Sequence, residues 1–100
     1  MAMIYDATAK LKFNEDPVLR IKDVELTVRS DADVLLQIID LMQRKNEMEA
    51  AMETLSILFS KEDYEKLKGL HLKMEDFMAV FRMAVSLALG EDPDEDQGKN

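Results

Sequence analysis

The feature of this sequence that most constrains its fold is a change in hydrophobic period at Ser30. Before this point apolar and polar residues alternate, and in the stretch AKLKF, Leu11 and Phe13 alternate with Lys10 and Lys12, as in a β-strand with one buried face. After it, apolar residues recur every three or four positions, as on one side of an α-helix. The sequence therefore predicts an α+β protein that is mainly α, with a small N-terminal antiparallel hairpin or meander followed by a bundle of three to four helices.

The strand region contains two turn signals. The first, at residues 14–17 (NEDP), combines Asn and Asp, which cap their own backbone, with a Pro that presets φ. The second is a change of phase, because Leu19 and Ile21 share one parity of the alternation whereas Val24 begins the other. A slip of one residue would send the following side chains to the wrong face, so we predict a bulge or tight turn at residues 22–23.

Residues 1–90 are predicted to form a single domain. Ser30 and Ser60 are predicted N-caps, and Gly69 and Gly90 are predicted to end helices. The predicted elements are strands within about residues 9–29 and helices at about residues 31–45, 47–59, 61–68 and 73–89. Residues 91–100 are predicted to be an acidic, disordered tail.

The last predicted helix is apolar nearly all round, unlike the first, in which one stripe is predicted to face the core: Leu35, Ile38, Ile39 and Met42. A nearly all-apolar helix lies at the centre of a bundle or is covered by a partner. The chain also holds eight methionines, a residue that fills gaps in cores and lines adaptable binding surfaces. The candidate protein-contact residues are Phe59, Met74, Phe77, Met78 and Phe81, and the alternative is that these five form the core.

The net charge of −8 is carried by two regions. Residues 31–60 hold six acidic and two basic side chains, and residues 91–100 hold five and one, whereas the rest of the chain is balanced. This distribution argues against nucleic-acid binding, which needs a basic footprint, and against binding to an anionic membrane surface. The chain has no Cys, and no signal peptide or membrane span is recognisable, so we expect a soluble intracellular protein.

No residue set in the sequence supports catalysis or metal binding. His71 is the single histidine, and Glu75 alone cannot complete a zinc site with it. The three glycines lie far apart, which excludes a phosphate-binding loop. Asp92, Asp94 and Asp96 have the alternating spacing of a calcium loop but lack its central Gly and its closing Glu. We therefore expect no enzymatic activity, no cofactor and no metal.

Two stretches carry a resemblance to a known family: KLKFNEDPVLRI near the N-terminus, and ILFSKEDYEKLKGLHLKMEDFMAVFRMAVSLALGED over residues 57–92. The order is a short hairpin, helices, a short helix rich in Lys and acidic residues, and an apolar helix that stops at Gly90 before an acidic tail. In this order the chain resembles the small tail assembly chaperones of long-tailed phages and of related prophages of Gram-positive bacteria. The resemblance covers most of the chain and is one of pattern, with residues 58–90 the closest part.

The resemblance implies a non-enzymatic protein of the host bacterial cytoplasm that is absent from the mature virion. The implied partners are the tape measure protein, which many copies coat and keep soluble, and the tail tube protein, whose subunits polymerise around it. The resemblance also implies a homo-oligomer. Because acidic copies repel one another, we expect self-association to strengthen with ionic strength.

Members of this family are commonly made in two lengths, the longer one by a −1 ribosomal frameshift near the end of the short reading frame. Gly98, Lys99 and Asn100 can be encoded by GGA-AAA-AAC or GGA-AAA-AAT, a run on which two tRNAs can re-pair after such a slip. The hypothesis is that these three residues are the frameshift junction and that the acidic segment links to an extension. The alternative is that their codons have no such role.

A function from another class is also open: a small acidic inhibitor or immunity-type protein that covers the basic site of a nuclease or DNA-binding partner. The acidic residues of the first helical region would then form a phosphate-like face, and binding would weaken with salt. These residues are Asp31, Asp33, Asp40, Glu47, Glu49 and Glu53.

Overall fold

The computed structural model describes residues 2–93, which contain a two-stranded antiparallel hairpin followed by four α-helices. The strands are β1 (Val18–Ile21) and β2 (Val24–Thr27), and the helices are α1 (Ala32–Arg44), α2 (Glu47–Leu58), α3 (Lys61–Gly69) and α4 (Met74–Ala88). This architecture confirms the predicted α+β, mainly α fold. Each helix begins and ends within one residue of the bounds that the sequence predicts.

The hairpin forms around a two-residue turn at residues 22–23, where the sequence predicts a bulge or tight turn. Ile21 pairs with Val24 directly across this turn. Lys22 takes a positive φ of 56°, a conformation that two-residue hairpin turns commonly require. Because the pairing brings Ile21 and Val24 to the same face of the hairpin, the turn accounts for the change of phase in the alternation.

The chain before the hairpin does not form the predicted strand. A single turn of 3-10 helix spans Thr8–Lys10, and every residue from 2 to 16 is exposed. The Asp6 carboxylate accepts hydrogen bonds from the hydroxyl and the backbone N–H of Thr8, and these bonds hold the pKa of Asp6 below its usual range. A period-2 pattern forms a strand only when a neighbouring strand supplies hydrogen-bond partners, and no described strand pairs with this segment. We refer to residues 2–16 as the N-terminal arm.

Two predicted helix boundaries are confirmed by their hydrogen bonds. Ser60 is the N-cap of α3, and its hydroxyl accepts the backbone N–H of Asp63 at 3.1 Å. Gly90 ends α4 with a φ of 83°, and the N–H of Glu91 bonds back to the carbonyl of Ser86 at 2.8 Å. A residue with a Cβ is strained at this φ, which is why Gly closes the helix.

Two other predicted boundaries are wrong. The hydroxyl of Ser30 donates to the carboxylate of Asp16 at 2.8 Å instead of capping α1, whose N-cap is Asp31. Gly69 is predicted to be the C-cap of α3, but it is still helical and Leu70 is the C-cap. The positive φ that often follows a helix end occurs at His71 (56°). In both cases the capping residue lies one position further along the chain than the sequence pattern indicates.

Helix α2 is the centre of the fold, because α1, α3 and α4 all pack against it. Its residues Leu55 and Leu58 are completely buried. The hairpin joins this core through Leu26 and Val28, which are also completely buried, and through the N–H of Arg29, which bonds to the carbonyl of Leu58 at 2.9 Å. Helix α1 packs mainly against α2 and therefore forms one edge of the fold.

Helix α4 is covered along most of its length. Between Phe77 and Ala88, Arg82 is the one exposed residue. The apolar character of this helix is therefore largely satisfied inside the fold, which was one of the two alternatives that its sequence left open.

Candidate protein-binding surface

The five residues that the sequence predicts as protein contacts do not share one surface. Phe59, Met78 and Phe81 lie in the core, with side chains no more than 8% exposed. Phe77 is half-buried against the core, and Met74 is exposed at the start of α4. The core alternative therefore describes Phe59, Met78 and Phe81, because the fold covers the apolar sides of α4. Met74 and Phe77 remain accessible, so a larger contact surface needs other exposed residues beside them.

Four of the six methionines within the helices lie at the surface instead. Met42, Met48, Met52 and Met74 are each about half exposed. A Met side chain is flexible and polarizable, so it adapts to an irregular partner surface. Single exposed apolar side chains are ordinary, so the informative question is which of these residues adjoin other exposed apolar groups.

Met42 belongs to a continuous apolar surface on α1. The side of this helix that faces the core carries Val34, Ile38 and Leu41, which are all buried. Three further apolar residues lie beside that face, are spaced three positions apart, and are 65%, 47% and 48% exposed: Leu36, Ile39 and Met42. We call these three residues the α1 stripe.

The α1 stripe corrects the predicted orientation of this helix. Of the four residues predicted to face the core, Ile38 is buried and Leu35 is half-buried, while Ile39 and Met42 are exposed. Seven of the nine residues from 34 to 42 are apolar, which is more than one helix face can hold. Because α1 packs mainly against α2, one face is covered and the rest of this apolar surface meets solvent.

The α1 stripe leads into a cleft formed by residues of α1, α2 and α4 and by the link between α1 and α2. The cleft has a volume of about 230 Å³ and is lined by Met42, Lys45, Glu47, Ala50 and Phe81. Ala50 and Phe81 are buried and form an apolar floor. The volume is below the range of about 300–1,000 Å³ that is typical of small-molecule pockets, so the cleft suits a protruding side chain better than a cofactor.

Ion pairs hold the two charged residues that line the cleft. Lys45 Nζ lies 2.6 Å from Glu53 Oε2, and Arg82 Nη2 lies 3.6 Å from Glu47 Oε1. The apolar floor is therefore bordered by charges that are already compensated within the chain. An apolar centre with a polar rim is the usual anatomy of a protein–protein interface.

The described residues contain no candidate metal site and no helix that could span a bilayer. Within residues 2–93, no group of three or more His, Cys, Asp or Glu side chains could hold a metal ion. In the same range, each helix is too short or too polar to cross a membrane. His71 is exposed in the link between α3 and α4. Most of the predicted acidic tail, including Asp94, Asp96 and the predicted frameshift junction at residues 98–100, lies outside the described residues.

Comparisons with known proteins identify no relative of this chain. The chain matches no protein-family model, no curated protein and no solved structure. The α1 stripe and the cleft are therefore interpreted from their own geometry.

Proposed function

We propose that this chain is a non-enzymatic protein-binding protein, and that an apolar helix of its partner binds along the α1 stripe. The observation that carries the proposal is the continuity of Leu36, Ile39 and Met42 with the cleft that Phe81 floors. A partner helix with an apolar residue at every third or fourth position would lie along the stripe and insert one side chain into the cleft.

The size of the α1 stripe indicates weak binding by a single copy. Covering each half-exposed side chain contributes on the order of 1 kcal/mol, and part of this is lost in ordering the partner. Several copies that are joined to one another and bound along one long helix would add these contributions together. A short apolar stripe on a small protein is therefore suited to coating an extended partner.

Combined with the sequence resemblance, this reasoning supports the role of a tail assembly chaperone. In that role the chain binds and solubilises the tape measure protein during tail morphogenesis, and the tail tube protein then polymerises around the coated complex. The chaperone acts as a homo-oligomer in the host bacterial cytoplasm and is absent from the mature virion. The α1 stripe supplies the apolar contact that such a chaperone needs, and the role requires no catalytic group.

The acidic-inhibitor alternative is weakened by ion pairs within the chain. A phosphate-like face needs carboxylates that are free to meet the cations of a partner. Three of the six acidic residues in question are already paired with cations of the same chain: Asp40 with Arg44, Glu47 with Arg82, and Glu53 with Lys45. We therefore do not propose this function.

The proposed function is tested by co-expression with the tape measure protein encoded in the same genome. The variant Ile39→Asp places a charge in the middle of the α1 stripe and should return the tape measure protein to the insoluble fraction. Gln37→Asp is the matched control, because it introduces the same charge on the same helix at an exposed polar position. The measurement is the soluble fraction of the tape measure protein.

Gln37→Asp should keep the tape measure protein as soluble as the natural sequence does. If Ile39→Asp does the same, or if the natural sequence leaves the tape measure protein insoluble, the proposed function is refuted. Circular dichroism of both variants checks that each retains its helices.

The longer, frameshifted form belongs to the same proposal and has its own test. The natural gene is expressed with its downstream DNA and with an N-terminal tag, and the tagged products are weighed by mass spectrometry. A minor, longer species whose junction peptide begins in the acidic segment is expected. A single species ending at Asn100 would remove the frameshift from the proposal and would leave the α1 stripe unaffected.

A further inference from the structure

We infer that copies of this chain associate by strand addition, in which residues 10–13 of the N-terminal arm of one copy pair with the free edge of β1 in another. Self-association is part of the proposed function, and the inference depends on that function in this respect alone. It uses neither the α1 stripe nor the cleft, so one copy can bind a partner and a neighbouring copy at the same time.

Strand β1 has an edge whose backbone groups lack partners. The N–H of Val28 bonds to the carbonyl of Pro17 at 2.8 Å, which identifies these two residues as a hydrogen-bonded pair. Bonding alternates along an antiparallel ladder, so Val18 and Arg20 point their N–H and C=O groups away from β2. Within the described part of the chain, nothing bonds to these outward groups.

The opposite edge of the hairpin is already occupied. The outward N–H of Thr27 in β2 donates to the carboxylate of Asp63 in α3 at 3.0 Å, and α3 packs against β2. The hairpin therefore has one covered edge and one open edge. An open edge is a template for another strand, and a two-stranded sheet gains stability when a third strand is added.

The N-terminal arm supplies a segment with the pattern that this edge needs. Leu11 and Phe13 are more than half exposed, and Leu11 already has an extended backbone with φ −107° and ψ 153°. In the paired arrangement, the Lys10 N–H leaves the carbonyl of Ala7, to which it bonds at 2.9 Å in the 3-10 turn. Lys10 and Lys12 then bring their backbone groups to the edge and keep their side chains in solvent. Leu11 and Phe13 then extend the half-buried inner face of β1.

The edge that receives the arm belongs to a second copy because the arm of the same chain is directed elsewhere. The Asp16 carboxylate accepts a hydrogen bond from the hydroxyl of Ser30 at 2.8 Å, just before β1 begins. Residues 12–17 line a cavity of about 490 Å³ together with residues 87–90 at the end of α4. The arm therefore runs from β1 towards α4 and does not turn back along the open edge.

The arm and the open edge are different surfaces, so every copy offers one donor and one acceptor. Association then continues from copy to copy, or closes when two copies exchange arms. Each copy carries a net charge of −8, so screening of the repulsion should strengthen the association as ionic strength rises.

Sedimentation velocity at several protein concentrations in high salt tests the donor segment. The double variant Leu11→Glu and Phe13→Glu should weaken self-association at least about tenfold, because two apolar side chains can no longer be buried. The double variant Met3→Glu and Ile4→Glu is the matched control, since it adds the same charge to exposed apolar positions of the same arm outside the segment. It should associate like the natural sequence. No described residue of the arm is buried, so neither variant removes a core contact.

A second pair of variants tests the acceptor edge. Arg20→Pro removes one outward N–H, and Arg20→Ala removes the same side chain but keeps that N–H. Only the Pro variant should weaken association, and thermal unfolding of both variants checks that the hairpin remains folded. Equal association by Arg20→Pro and Arg20→Ala, both folded, would overturn the assigned edge.

Crosslinking through introduced Cys residues identifies which copy supplies each strand. The natural chain contains no Cys, so the introduced thiols are the only ones that react. Copies with Lys12→Cys are mixed with copies with Arg20→Cys and treated with a short bis-maleimide, and a crosslinked pair of the two is expected. A further sample contains chains that carry both substitutions. If crosslinks form within these chains and none form between the two single variants, the inference is overturned. It is also overturned if the natural sequence stays monomeric at high concentration and high salt. Contact of the arm variants with the tape measure protein through position 39, measured by site-specific photo-crosslinking, keeps these outcomes separate from a failure of the α1 stripe.

Discussion

Helices α1 and α4 are both rich in apolar residues, but they use them in opposite ways. The sequence of α4 is apolar nearly all round, and the fold covers it so well that Arg82 is the one exposed residue between Phe77 and Ala88. The sequence of α1 suggests an ordinary helix with one inward face, yet it leaves Leu36 and Ile39 exposed.

The difference between the two helices arises from their positions. Helix α4 lies against the central helix α2 with most of its circumference covered, whereas α1 packs mainly against α2 at an edge. The apolar content of a helix determines how much of its surface is favourably buried, and its neighbours determine how much is buried in the fold. The site of partner binding is therefore expected on α1, where apolar surface remains exposed.

The largest contrast is expected between Phe81 and Met42, two residues that line the same cleft from the two helices. Phe81→Ala removes a buried ring from α4 and should lower the free energy of unfolding by about 3–5 kcal/mol. Met42→Ala removes a half-exposed side chain from α1 and should lower it by less than about 1 kcal/mol. Urea unfolding followed by circular dichroism measures both. Equal losses would mean that the fold covers the two helices alike.

A second contrast concerns the ends of helices α3 and α4. Gly90→Ala forces a residue with a Cβ into a φ of 83° and should cost about 1–2 kcal/mol. Gly69→Ala should instead stabilise the protein by up to about 1 kcal/mol, because Gly69 is helical and an added Cβ meets no atom within 4 Å. Thermal unfolding of the two variants reports the sign directly. A loss in both would contradict the described end of α3.

The smallest contrast concerns the starts of α1 and α2. The side chain of Asn46 accepts the N–H of Glu49 at 2.9 Å, so Asn46→Ala should destabilise the protein by about 1 kcal/mol. Asp31 caps α1 without a side-chain hydrogen bond, so Asp31→Ala should lose about 0.3 kcal/mol from the interaction with the helix dipole. Chemical unfolding of both variants under the same conditions makes the comparison. A larger loss at Asp31 would indicate that the start of α1 is fixed more firmly than these hydrogen bonds imply.

The order and the bounds of the helices are predictable from the sequence because each helix repeats its apolar period over several turns. The change of period at Ser30 and the change of phase at residues 22–23 likewise mark the hairpin and its turn. These signals are local, and the neighbouring residues alone supply them. The strand predicted for AKLKF depends on a partner strand elsewhere, and here the local pattern predicted a structure that the described chain does not form.

The orientation of α1 shows where prediction from sequence stops. Apolar residues occupy so much of the circumference that Leu35, Ile39 and Met42 form as good an inward face as the observed one. The packing of α2 selects between these faces, and no local pattern records that choice. The abundance of apolar residues was a usable signal, since seven in nine positions predict apolar surface beyond one face. The sequence likewise could not distinguish burial of Phe59 and Phe81 in the core from contact with a partner, because both environments favour an aromatic residue.

Site-specific photo-crosslinking is the measurement that tests the α1 stripe most directly. A photoreactive amino acid is placed at position 39 or, as the control, at position 37, and the protein is irradiated together with its proposed partner, the tape measure protein encoded in the same genome. The account predicts crosslinks from position 39 to apolar helical segments of the partner and few or none from position 37. Equal crosslinking from the two positions, or none from position 39 in an intact complex, would contradict the assignment of the α1 stripe as the partner-binding surface.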